Sequence, residues 1–138
     1  MNLFKALAIP LFLGVFLLMA NVANAEEGGG KAEGGGNDLF AKVDAIVVNL
    51  MGPTQQYIQV EMTLKLAKPD VGDRVKLYMP VIRHKMILLL SSKDAAQLGS
   101  TEGKQKLVQE SKVAVNQALG LSDKEGVTDV LFDSFIIQ

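Results

Sequence analysis

The sequence predicts an α+β domain, a small sheet in the order β-β-α-α-β with helices packed on one of its faces. Three observations carry this expectation. Residues 56–66 alternate strictly between apolar and polar side chains, residues 80–119 hold two apolar runs at helical spacing, and residues 127–138 return to β-branched and aromatic types.

The first strand is expected over residues 43–49, where Val43, Ile46, Val47 and Val48 favour extended backbone. Met51, Gly52, Pro53 and Thr54 supply turn chemistry. In the second strand Ile58, Val60, Met62, Leu64 and Leu66 share one face and Gln59, Glu61, Thr63 and Lys65 the other, the pattern of a half-buried antiparallel strand. Pro69, Asp70 and Gly72 interrupt before a helical pattern begins at Asp73, and Pro80 is placed in the first turn of a new helix, where its missing amide hydrogen is not needed. At about 100° per residue, Met86 to Leu90 point all around that helix. Such a helix needs more than one partner surface. It lies between the sheet and a second helix of its own domain, or one edge packs against a neighbouring protomer.

Ser92 is the expected cap of a short turn ending at Leu98 and Gly99. Thr101 is the expected cap of the next helix, whose stripe is Leu107, Val108, Ala114, Val115, Ala118 and Leu119, and Gly120 stands where a left-handed terminal residue is favoured. The last strand is apolar on both faces, which predicts a central place in the sheet.

Upstream of the domain, residues 1–25 have the form of an export signal: Lys5, a nearly unbroken apolar run to Met19, and the small-residue pattern Ala23, Asn24, Ala25. Cleavage after Ala25 is expected. The alternative is an uncleaved inner-membrane anchor, because the uncharged stretch of residues 6–25 suffices for a bilayer of roughly 30 Å. Residues 26–37, EEGGGKAEGGGN, predict a flexible Gly-rich leader, and residues 38–138 the exported folded domain. The 138-residue chain has a formal net charge of −1, without the basic excess that nucleic acid demands, and no cysteine for a disulfide or a thiolate site.

Catalysis and cofactors are not expected. His84 is the single histidine, too few for an imidazole zinc site, and no triad surrounds it. Asp129 and Asp133, four residues apart on a strand, stand about 13 Å apart, beyond the reach of a carboxylate pair. Asp70 and Asp73 suit a helix N-terminus. The expected site is instead a protein interface on the helix of residues 80–90, with Pro80, Arg83, His84, Ile87 and Leu88 as its candidates and a solvated or local ion pair for Arg83.

Several residues in order resemble the periplasmic domain of the flagellar basal-body-associated FliL family. They are Asn49 and Leu50, the strand from Tyr57, then Pro80, Ile82 and Arg83, Leu88 to Ser92, Glu102, Gly103 and Lys104, Asn116, and finally Phe132, Phe135 and Gln138. The resemblance spans residues 43–138. It implies a stomatin-like fold, self-association into rings, and a non-enzymatic role beside the motor stator that modulates motility, with stator or basal-body proteins as partners. Two departures stand out. Family members keep an N-terminal membrane anchor behind a cytoplasmic stub, where this chain has five residues before its apolar run, and His84 replaces a usually acidic position. The alternative reading is a soluble periplasmic relative that binds another envelope protein.

Overall fold

A computed structural model describes residues 39–138; the expected signal and leader lie outside the described residues. Its elements are strands β1 (Phe40–Asn49) and β2 (Tyr57–Leu66), helices α1 (Val71–Ser91), α2 (Ala95–Gly99) and α3 (Thr101–Leu119), and strand β3 (Val127–Ile137). The three strands form one antiparallel sheet in the order β1-β2-β3. The α+β expectation holds.

Alternation in β2 does what the pattern requires: Ile58, Val60, Met62, Leu64 and Leu66 are all buried. Across from them in register stand Val48, Ile46, Val43 and Ala41 of β1, and Ile137, Phe135, Phe132, Val130 and Val127 of β3. On this face lie the two long helices, α1 against β1 and α3 against β3, with α1 and α3 also packed on each other. Each fully buried aliphatic side chain contributes about 1.5–3 kcal/mol. The opposite sheet face is left to solvent and carries Lys42, Val47, Leu131, Asp133 and Ile136 among its exposed residues.

Several local expectations are corrected. β3 is an edge strand, and β2 is the central one. Its two-sided apolarity comes from a register shift at Asp133, opposite Glu61 and Met62. The extra residue reverses the parity, so that Phe132, Phe135 and Ile137 all reach the core side while Leu131 and Ile136 face out. Pro80 does not open a helix; it sits inside the 21-residue α1. Val71 and Val75 before it and Ile82, Met86 and Leu90 after it are buried on one side of a continuous helix, and that burial outweighs the lost hydrogen bond to the Lys76 carbonyl. Both Pro80 and Lys76 are exposed, so water can reach that carbonyl.

Two caps also move. Ser92 ends α1, its hydroxyl donating to the Leu89 carbonyl, and α2 is capped by Asp94 in a reciprocal box with Gln97. Ser100, not Thr101, caps α3 by accepting from the Gly103 amide at 2.9 Å. That elbow requires glycine: a Cβ at Gly103 would come within 1.6 Å of the Gln97 carbonyl oxygen. At the far end Gly120 adopts the expected left-handed conformation, φ 65°.

Asn116 ties α3 to the sheet. Its buried side chain donates to the Val127 carbonyl at 2.9 Å and accepts from the Val127 amide at 2.8 Å, standing in for a neighbouring strand at the start of β3. Gly126 leaves room for it, since a Cβ there would lie 2.3 Å from the Asn116 amide oxygen.

Asn116→Ala strands two buried backbone groups and is expected to cost about 2–4 kcal/mol in urea unfolding, against less than about 0.5 kcal/mol for the exposed neighbour change Gln117→Ala. Pro80→Ala restores a donor to the Lys76 carbonyl and should raise stability by about 1–2 kcal/mol, read as a higher urea midpoint at unchanged slope.

Candidate protein interface

Helix α1 has more apolar faces than its own domain covers. Leu77, Val81, His84 and Leu88 are spaced four, three and four residues apart, which puts them in one stripe on the side away from Val75, Ile82 and Met86. Leu77 is 74% exposed, Leu88 58% and Val81 41%. The stripe runs about 16 Å along the helix. Pro80 and Ile87 border it on one flank and are both exposed. Both partners weighed from the sequence are therefore present for the inner face, the sheet and α3, and the outer face remains uncovered among the described residues.

Of the sequence candidates, His84 and Leu88 lie in the stripe itself, and Pro80 and Ile87 beside it. Arg83 turns the other way. β1 bulges between Val43 and Ile46. The Arg83 guanidinium donates to the two carbonyls exposed there, Asp44 at 2.9 Å and Ala45 at 3.0 Å. Its planar fork suits two adjacent acceptors, so Arg83 pins α1 to the sheet edge instead of meeting a carboxylate. Leu77 and Val81 were not among the sequence candidates. Their signal is the four-three-four spacing, which is hidden when the helix is taken to begin at Pro80.

Elsewhere the charged groups serve the fold. The Arg74 Nε donates to the Leu119 carbonyl at 2.7 Å, closing the end of α3, and its guanidinium lies 5.4 Å from the Tyr78 ring centre. Lys93 pairs with Glu110, linking the segment after α1 to α3. An open cleft of about 540 Å³ beside the first turns of α1 is lined by opposed charges, Lys68 and Arg74 against Asp70, Asp73 and Glu125. Asp133 accepts from the Thr63 hydroxyl at 2.7 Å, and Asp129 from the Val130 amide at 2.9 Å, so each carboxylate is bound locally and they do not share a site. Among the described residues no three of His, Asp and Glu converge as metal ligands, and no helix is long and apolar enough to cross a membrane.

Fold and surface together define a two-layer domain whose prominent feature is an uncovered apolar helix face. The sequence model of the family described as "Flagellar basal body-associated protein FliL" matches residues 40–138. The chain is 35% identical over 101 residues to the flagellar protein FliL of Escherichia coli (strain K12), covering 72% of this chain and 65% of that protein. It is 32% identical over 102 residues to the flagellar protein FliL of Aquifex aeolicus (strain VF5), covering 72% of this chain and 62% of that one. This chain belongs to the FliL family. Its match spans just under two thirds of the length of these relatives.

Arg83→Ala should release the β1 bulge: amide exchange at Asp44 to Ile46 accelerates, with about 1–3 kcal/mol lost in global stability. Arg83→Lys keeps the charge without the fork and should recover less than half of that loss in the same measurement.

Proposed function

We propose that this protein works by protein contact at the flagellar basal body, without turnover, as a periplasmic component whose copies associate next to the motor stator and modulate motility. Family membership supports the basal-body setting. The observation that carries the contact role is the stripe of Leu77, Val81, His84 and Leu88, with Pro80 and Ile87 at its flank. Scattered exposed apolar residues are ordinary on a soluble domain; a row of them along three turns of one helix is a surface that gains by being covered. A neighbouring copy is the proposed cover. Residues 1–25 are proposed as the export signal, or as an inner-membrane anchor where they are retained. Residues 26–37 would then serve as the leader that joins them to the domain.

The double variant Leu77→Glu, Leu88→Glu separates association from folding. Both positions are exposed, so its unfolding midpoint should stay within about 0.5 kcal/mol of the parent. In sedimentation velocity the parent should show concentration-dependent association and the variant a single monomeric boundary. In cells, deletion of the gene should change swimming or swarming, and the variant should fail to restore it. A parent chain that stays monomeric at high concentration would overturn the association. Affinity capture from a motile culture without stator or basal-body components would favour another envelope partner.

A further inference from the structure

The two edges of the sheet are treated differently. On β1 the bulge at Asp44 and Ala45 is occupied by Arg83, and just beyond the strand the Met51 amide donates to the Lys93 carbonyl at 2.8 Å, with a parallel bridge between Met51 and Asp94. These are the devices that blunt an edge strand. On β3 the outer side is met at its start by Asn116, which takes both backbone groups of Val127, and beyond that point no strand lies alongside it among the described residues. Tyr57 and Gln138 exchange both backbone hydrogen bonds, at 2.8 and 3.0 Å. Because antiparallel pairs alternate, Ile137 and Phe135 therefore turn their own N–H and C=O away from β2. Before the register shift the same orientation holds for Val130, whose amide goes to the Asp129 carboxylate, and for Phe132 two residues on. The open stretch runs from Phe132 to Ile137, about 20 Å of strand.

The chemistry flanking that stretch differs on its two sides. On the solvent face β3 carries Asp133 within that stretch and Asp129 before it, the latter opposite Lys65 of β2, and no basic residue of its own. On the helical side α3 follows it: Lys104 lies 5.5 Å from the Phe135 ring centre and Asn116 binds Val127. Four-residue steps between those two pass through Val108 and Lys112, so this row of α3 runs along β3. A strand added at the edge would meet carboxylates with one set of its side chains. The alternate set would meet Val108, the phenylalanine rings and the aliphatic stems of the lysines.

We infer that the free edge of β3 accepts, by strand addition, an extended segment of another protein in which basic and apolar residues alternate. A second β3 is a poor occupant, since the only charged residues it brings are further aspartates. So is the chain's own leader, residues 26–37, which offers three glutamates against one lysine and no β-branched residue. The inference concerns β3 alone and does not depend on the outer face of α1.

The test uses the full chain and a labelled octapeptide of alternating lysine and valine, with a control of the same composition in which four lysines precede four valines. The alternating peptide should bind about tenfold more tightly than the control and slow amide exchange at Phe132, Phe135 and Ile137 about tenfold. Asp129→Asn with Asp133→Asn, which keeps an acceptor for the Val130 amide and the Thr63 hydroxyl, should weaken it about tenfold, and the exchange result on the parent chain stands whether or not that variant folds. Equal binding of the two peptides, or no slowing at β3, overturns the inference. So does protection of the β3 amides that rises with protein concentration in the absence of peptide, which would make a second copy the occupant.

Discussion

One constraint organises this domain: a single helical layer on a single sheet can cover only one side of each helix. α1 gives its inner side to β1 and α3 through Val75, Ile82, Met86 and Leu90, and nothing of the described chain reaches its outer side. In most two-layer domains that outer side is polar. Here leucine, valine and histidine occupy it. The domain therefore reaches a stable core while leaving apolar surface that none of the described residues buries.

The layers are held together by side chains that bond backbone groups of other elements. Asn116 completes the start of β3, Arg83 satisfies the carbonyls of the β1 bulge, and Arg74 takes the last carbonyl of α3. Each of these acceptors would be costly to leave dry. Gly103 and Gly126 are the steric counterparts, positions where a Cβ would strike a carbonyl or amide oxygen. Arg83, Gly103 and Asn116 are among the residues that carry the resemblance to the FliL family, and their work in the structure is architectural. They fix where α1 and α3 sit, and through that the surface the domain presents.

Much of this was legible in the sequence, for physical reasons that also explain what was not. β2 reads correctly because it is central and pairs on both edges without a change of face along its own length. The helix of Leu107, Val115 and Leu119 reads correctly because its apolar stripe and Gly120 agree. β3 misled because parity changes at Asp133, and a strand with a bulge looks two-sided to any rule of strict alternation. The caps slipped by one or two positions where several competent residues are adjacent, Ser92 with Asp94 and Ser100 with Thr101. Pro80 masks the continuity of α1 because the preference of proline for a first turn is local and the core that overrides it is not, and with the helix begun there the four-three-four spacing through Leu77 and Val81 is cut. The role of Arg83 depends on a bulge in β1 that has no marker in residues 43–46.

The position of the helices also separates the two exposed surfaces. α1 packs over β1 and α3 over β3, so the outer face of α1 and the free edge of β3 belong to different elements on different flanks of the domain. A contact through Leu77 and Leu88 uses none of the backbone groups between Phe132 and Ile137. Their chemistries differ in the same sense: the first is a short apolar row, suited to burial against a like surface, and the second is a hydrogen-bonding edge beside carboxylates, suited to an extended basic strand. The edge that lies nearer α1, that of β1, is interrupted at its bulge by Arg83 and tied just past its end by the Lys93 carbonyl. The bulge that Arg83 holds breaks the regular hydrogen-bonding row of β1 at Asp44 and Ala45, whereas β3 keeps an open row from Phe132 to Ile137 on the opposite flank.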